Sequence, residues 1–271
     1  MNRSGHPICG AAALAALLSC VASCSRDAPA APRVEEDALT VFAASSLREV
    51  FTALAADFER EHPGARVSLA FAGSQELRTQ LEHGARADLY ASADTEPMDA
   101  LARAERVAAP VPFARNRVAV VVSRQAAASI RTLADLPKAE RIVLAAPAVP
   151  AGRYADELLR RAALPLGADF PARVMERVVS RELNVRQVLA KLLLGEADAA
   201  VVYQSDVAGR PELTALPLPE GVLVVATYPM ATVVGAEHPG LARAWQELVL
   251  STRGQLALQD AGFLPVAGPA P

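Results

Sequence analysis

Residues Leu39 to Phe58 read LTVFAASSLREVFTALAADF, and this stretch decides the fold. Leu39 to Ala43 is a short apolar run of strand length, and Ser45 and Ser46 break it. Leu47, Val50, Phe51, Leu54 and Phe58 then recur at spacings of three and four, which puts one apolar stripe on one face of a helix. Ser46 is expected to be the N-cap. Glu49, three residues on, completes a capping box by turning back to the Ser46 amide. A strand thus feeds a helix whose first amides have no intrahelical partner, with a serine hydroxyl beside them. Free N–H groups and the helix dipole both favour an anion at such a junction.

The junction recurs outward along the chain. Arg66 to Phe71 alternates like a strand and ends at Gly73-Ser74, ahead of a helix over Gln75 to Glu82. Arg141 to Ala145 is a buried strand followed by Pro150-Ala151-Gly152 and a helix carrying Tyr154, Ala155, Leu158 and Leu159 on one face. The amides of Ala151 and Gly152, with negligible side chains, are expected to be open to a ligand oxygen. Asn184 caps a helix from Val185 to Leu194, stopped by Gly195, and places the Val185 amide in its first turn. Ala199 to Tyr203 is a strand with a tyrosine at its end.

Further strands are expected at Leu89 to Ser92, Val118 to Val122, Val174 to Val179, Leu223 to Thr227 and Ala231 to Val234, with Tyr228-Pro-Met230 joining the last two. Thr132 to Asp135 starts a helical turn ending before Pro137. Helices follow at Met98 to Glu105, capped by Asp94 or Thr95, and at Ala242 to Leu250 and Gly254 to Asp260. Alternating strands and helices define an α/β fold with mainly parallel sheets, in which ligands bind beyond the carboxyl ends of strands. One plan occurs twice after a helix: Gly84-x-x-Ala87-Asp88-strand and Gly195-Glu-Ala197-Asp198-strand. It points to two lobes of similar βαβ units, with the crossing into the second lobe near Val118.

Composition narrows the function. The 271 residues are 52% hydrophobic and 21% charged, enough for two cored lobes. A net charge of -3 and 4% aromatics argue against a nucleic-acid surface, which needs a basic face and stacking rings. The four histidines, His6, His62, His83 and His238, show no metal-ligand spacing, and neither a Walker loop nor G-x-S-x-G occurs. All three cysteines, Cys9, Cys20 and Cys24, lie in the first 24 residues, so no disulfide holds the body together.

Residues 1–24 read as an export signal: Arg3, then an apolar run from Ile8 to Val21 too short for a comfortable membrane span. The run ends in Val21-Ala-Ser-Cys24, which resembles a bacterial lipobox; Leu17-Leu-Ser-Cys20 is a poorer match. Lipidation is expected at Cys24. Residues 25–37, Ala/Pro-rich and charged, form a flexible linker, and 267–271 a tail.

Five blocks then carry a family likeness: Phe42–Leu47 (FAASSL), Phe71–Ser74 (FAGS), Gly84–Asp94 (GARADLYASAD), Val149–Ala155 (VPAGRYA), and Asn184–Ala190 (NVRQVLA) running on to Gly195–Tyr203 (GEADAAVVY). In this order the chain, from about Leu39 to Pro265, resembles the periplasmic molybdate-binding proteins, the substrate-binding components of molybdate ABC importers. The resemblance implies a two-lobed type II periplasmic binding protein that closes like a hinged clamp. Residues 38–117 with 231–266 would form lobe I, and 118–230 lobe II. It implies a tetrahedral oxyanion, molybdate or tungstate, held by the hydroxyls of Ser46, Ser74 and Tyr203 and the amides of Ala151 and Val185. It implies no cofactor, no metal held directly by side chains, a monomer, and a membrane permease as partner. The place of work would be periplasmic or extracytoplasmic, with membrane contact only through lipid at Cys24. Ser45, Gln75 and Ala148 depart from the family's usual residues without removing a donor.

Competing readings are a binding protein for sulfate or phosphate, and a serine-dependent enzyme. A nucleophile at Ser45 or Ser46 needs a base in reach, and His62 and His83, each following a helix, are expected at the surface. A ligand-sensing lobe pair fused to a DNA-binding domain lacks its helix-turn-helix. Arg153 could salt-bridge an acidic ligand but is expected to face solvent, and Trp245 to pack in the core.

Overall fold

The structure, a computed structural model, describes residues 37–266; the export segment with Cys24, nearly all of the linker and the tail lie outside the described residues. In chain order the elements are β1 (Asp37–Ala44), a 3-10 turn (Ser45–Leu47), α1 (Arg48–Glu61), β2 (Ala65–Ala72), α2 (Ser74–Glu82), β3 (Leu89–Ala91), α3 (Thr95–Arg103) and β4 (Val111–Ser123). Next come β5 (Ile142–Ala145), α4 (Pro150–Leu166), α5 (Phe170–Met175), β6 (Val178–Glu182), α6 (Val185–Leu193), β7 (Ala199–Tyr203) and α7 (Gln204–Val207). The chain closes with β8 (Leu213–Ala215), β9 (Val225–Thr232), α8 (Pro239–Leu250) and α9 (Thr252–Asp260).

Strand order is β2-β1-β3-β9-β4-β7-β5-β6, with β8 on β4. β1 pairs in parallel with β2 and β3, and β5 in parallel with β6 and β7. β9 runs antiparallel to β3 and β4. β4 also runs antiparallel to β7 and β8, so the sheets are mixed and not mainly parallel as expected: two α/β lobes share long β4, whose partner changes from β9 at Arg117 to β7 at Val118. Alternation along β1 shows why its run is apolar on both faces. Leu39, Val41 and Ala43 enter the core with Phe51, Phe58 and Trp245, whereas Phe42 packs with Leu77, Leu81, Tyr90 and Met98 on the other face. Trp245 stands edge-on to Phe51 and Phe58 at 5.4 and 5.6 Å. No helix among the described residues is long and apolar enough to cross a membrane.

The repeated glycine–aspartate plan has a structural meaning. Asp88, just before β3, accepts the Thr40 amide of neighbouring β1 at 2.8 Å. Asp198, just before β7, accepts the Arg141 amide ahead of neighbouring β5 at 2.9 Å. Each carboxylate ties the start of its own strand to an adjacent parallel strand, and Gly84 (φ 89°) and Gly195 (φ 74°) supply the left-handed turns before them.

Several expectations are corrected. Val174 is not in a strand: Phe170 and Val174, four apart and both fully buried, belong to α5, which carries Pro171 in its first turn, and the strand begins at Val178. The two strands expected at 223–227 and 231–234 are one, β9, running through Tyr228-Pro229-Met230. Pro229 is tolerated because it faces Pro112, where the register of β4 shifts, so neither missing N–H breaks a regular ladder. All of β9 joins β3 and the first part of β4. Pro137 lies inside its 3-10 turn (Leu133–Lys138) and not after it.

Candidate functional site

Ser46 stands in the turn after β1, and the expected capping box is absent. No side chain caps α1. The Ser46 hydroxyl instead meets the Tyr228 hydroxyl at 3.0 Å, and Glu49 pairs with Arg186 of α6. Ser74 opens α2 behind Gly73, whose amide donates to Glu76 at 2.8 Å. Its Oγ accepts the Ala93 amide at 3.0 Å and its carbonyl accepts the Tyr90 hydroxyl at 2.8 Å. Burial pushes the Tyr90 phenol well above its ordinary pKa, so it stays a neutral donor.

Ala151 lies in the first turn of α4. Pro150 has no N–H and the Gly152 amide donates to the Val149 carbonyl at 2.9 Å, so Gly152 is not the open amide the sequence suggested. The Ala151 amide is the first N–H of the helix, where no carbonyl a turn earlier can receive it. Gly152 has a packing role: a Cβ there would collide with the Ala146 carbonyl. Val185 opens α6, and its N-cap Asn184 accepts the amides of Arg186 and Gln187, both at 3.1 Å. Tyr203 ends β7 with its ring buried, and its hydroxyl has no hydrogen-bond partner among the described residues. Burial first, then the neighbouring Tyr228, Tyr154, Asp94 and Asp206, push this phenol well up, so it remains protonated.

Ser46, Ser74, Ala151, Val185 and Tyr203 line one small cavity between the lobes, beyond the ends of β1, β2 and β7. None of its lining residues carries a formal charge. The nearest guanidinium groups are committed elsewhere. Arg153, which does not face solvent as expected, donates Nε and Nη2 to Asp94 at 2.9 and 2.6 Å and Nη1 to the Ala148 carbonyl at 2.7 Å. Arg186 pairs with Glu49, donates to the Ser45 carbonyl at 3.2 Å, and lies 3.4 Å from buried Asp206. Asp206 accepts the Tyr203 amide at 3.0 Å, and burial pushes its carboxyl up to about 6 against the pull of Arg186. An uncharged pocket of small residues, hydroxyls and helix-terminal amides can receive an anion by hydrogen bonding alone.

The sequence reading missed the groups that bridge the cleft and those behind the donors. Asp94, Arg186 and Tyr228 have partners 59, 137 and 182 residues away in sequence, and no local spacing announces such pairs. His62 packs on Phe58 and His83 bonds the Thr79 carbonyl. Both sit at the C-terminal ends of α1 and α2, opposite the ends where the serines stand. Among the described residues no three His, Cys, Asp or Glu come together to hold a metal.

Two lobes closing on an uncharged, donor-lined cleft define a solute-binding protein of the periplasmic type. Residues 39–264 match the family described as bacterial extracellular solute-binding protein, and the chain belongs to it. It is similar to the molybdate-binding protein ModA of Mycobacterium tuberculosis (strain ATCC 25618 / H37Rv), 36% identical over 253 residues, which are 92% of this chain and 93% of that protein. Among solved structures, the periplasmic molybdate-binding protein of Azotobacter vinelandii matches with TM-score 0.69 and 18% identity over 83% of this chain and 98% of its own. The sulfate-binding protein SubI of Mycobacterium tuberculosis H37Rv matches with TM-score 0.74 and 21% identity over 85% and 87%. These two likenesses show the fold. The family binds solutes and does not transform them, which removes the serine-enzyme reading.

Proposed function

We propose that this protein captures molybdate, and tungstate with it, outside the cytoplasm and delivers it to the membrane permease of an ABC importer. One observation carries the reading: the donor positions Ser46, Ser74, Ala151, Val185 and Tyr203 line a single uncharged cavity. The 36% identity to a molybdate-binding protein over nearly the whole chain supports the choice of anion. Charge-assisted N–H and O–H bonds to an oxyanion are stronger than neutral ones, and several together offset its lost hydration. Size sets selectivity. The longer metal–oxygen bonds of molybdate and tungstate reach all donors, whereas sulfate leaves some unpaired.

A thermal-shift titration with molybdate, tungstate, sulfate and phosphate tests this, because a ligand bound only by the native state raises the melting temperature. Stabilisation by molybdate and tungstate well above sulfate is expected. A larger shift with sulfate would replace the anion and keep the fold. Attachment through lipid at Cys24 belongs to the same reading, and Cys24→Ser should move the protein from the membrane to the soluble fraction. As a monomer it should elute near its chain mass of 28.4 kDa less the export segment.

A further inference from the structure

Arg186, in the first turn of α6 in lobe II, reaches across the seam to lobe I. It pairs with Glu49 of α1 through Nη2, and its Nε donates to the Ser45 carbonyl at 3.2 Å. The same Nε lies 3.4 Å from Oδ1 of Asp206, a residue of its own lobe. Nε carries one hydrogen, so it can serve one of these acceptors well. It serves Ser45, and Asp206 Oδ1 receives no hydrogen bond among the described residues although the side chain is fully buried. The other carboxylate oxygen accepts the Tyr203 amide at 3.0 Å, and Arg210 Nε is taken by the Asp206 backbone carbonyl at 3.0 Å. One N–H thus has two rival acceptors, one on each lobe.

We propose that Arg186 and Asp206 form a proton-linked latch: closure draws Arg186 to Ser45 and Glu49 and leaves Asp206 to take a proton from solvent, so the grip on the anion tightens as pH falls. The inference rests on the oxyanion reading above and adds a control on release. With the lobes closed, the buried carboxylate is short of a donor, which disfavours its charged form. With the lobes apart, Ser45 and Glu49 withdraw from Arg186, and its Nε–H is free to turn to Oδ1 and stabilise the charge. A cavity of about 240 Å³, lined in part by Glu49, Arg186, Ser205, Arg210 and Asp260, gives the guanidinium room to turn. The groups that face the carboxylate are Arg186, Glu49 and Arg210, with the Tyr203 and Tyr228 phenols. Burial first, and Glu49 after it, push the carboxyl up to about 6 against both arginines and the Tyr203 amide. If closing the lobes takes up a proton, protons must by reciprocity favour closing.

Calorimetric titration with molybdate at about pH 6.5, in buffers of different ionisation enthalpy, counts the protons taken up on binding. Molybdate itself carries none at that pH, so any uptake belongs to the protein. Wild type should take up about a third of a proton or more, and its affinity should fall about threefold or more between about pH 5.5 and 7.5. Asp206→Asn, which can still accept the Tyr203 amide, should take up less than about a tenth of a proton and bind with an affinity that stays flat over this range. Arg186→Gln removes the guanidinium from the other side of the contact and should abolish the uptake as well. No uptake in wild type, or uptake that persists in Asp206→Asn, overturns the latch. Sulfate, equally free of a proton, takes the place of molybdate if the cleft prefers it. Binding of neither anion overturns the oxyanion reading and the latch with it, a result distinct from binding without proton uptake.

Discussion

Arg153 and Asp94 meet across the cleft: the guanidinium on α4 of lobe II donates twice to one carboxylate oxygen at the N-terminus of α3 in lobe I. The Tyr154 hydroxyl donates to the other oxygen at 3.1 Å. Two further links lie along the same seam, Arg186 to Glu49 and the Ser45 carbonyl, and Gln75 to the Leu183 carbonyl at 2.8 Å. None of these groups lines the cavity itself except Ser45, so they hold the closed arrangement without being ligand donors. Arg153→Ala should therefore act on release. Removing one partner of a shielded ion pair acts mainly on the off-rate, and molybdate should leave about tenfold faster or more with little change in its on-rate. Stopped-flow release measurements check this. An unchanged off-rate would mean the pair does not secure closure.

Gly73 tests the same seam by steric means. Its φ of -64° is open to any residue, so Ala there carries no backbone strain. An added Cβ would lie 2.7 Å from the Leu183 carbonyl oxygen, which belongs to the opposite lobe, and would press on the Gln75 side chain that bonds it. Gly73→Ala should prop the lobes apart, weakening molybdate about tenfold or more while leaving the melting temperature of the unliganded protein nearly unchanged. Small-angle scattering with saturating molybdate should show a larger radius of gyration than wild type. Wild-type affinity in this variant would place closure elsewhere.

That Ser46, Ser74, Ala151, Val185 and Tyr203 line one cavity was legible in the sequence because each sits where a strand hands over to a helix, and that handover is written locally in serines, small residues and caps. Asn184 is the clearest case: its spacing to the following amides is the capping geometry the structure shows. Ser46 was read correctly as a junction residue and wrongly as a cap, since Tyr228 and Arg186, far along the chain, claim Ser46 and Glu49 instead. Tyr228-Pro229-Met230 reads in sequence as a join between two strands, since proline seldom enters a strand; only the matching irregularity at Pro112 makes room for it. The first part of β4, Val111–Arg117, was missed because Arg115, Asn116 and Arg117 interrupt its apolar run, and Asn116 is buried for the network behind the cleft.

Asp206 gives a pH signature. Its carboxyl lies at about 6 in the folded chain against an ordinary 3.8, raised by burial and Glu49 and lowered by Arg186, the Tyr203 amide and Arg210. A raised acid means the native state holds more protons than the unfolded chain between about pH 4 and 6, so this group's contribution grows as pH falls through that window. Asp206→Asn, which can still accept the Tyr203 amide, lacks the titration. The melting temperature of wild type minus that of Asp206→Asn should rise as pH is lowered from about 7 to 4.5. A flat difference would show that burial does not raise the Asp206 carboxyl.

Ser74 has two duties, and their loss can be read separately. Its oxygen accepts the Ala93 amide, and its proton is available to the cleft. Ser74→Ala removes both, leaving a buried amide without its acceptor at a cost of about 1–3 kcal/mol in the unliganded protein. The lost donor should weaken molybdate by a further factor of about ten, as expected for a hydrogen bond to a charged group. Ser46→Ala, which takes no acceptor from a backbone amide, should show the binding loss with a smaller drop in melting temperature. Chemical denaturation without ligand and calorimetric titration with molybdate separate the two effects. If Ser74→Ala lowers stability and leaves molybdate affinity intact, Ser74 supports the Ala93 turn only, and the anion is held without it.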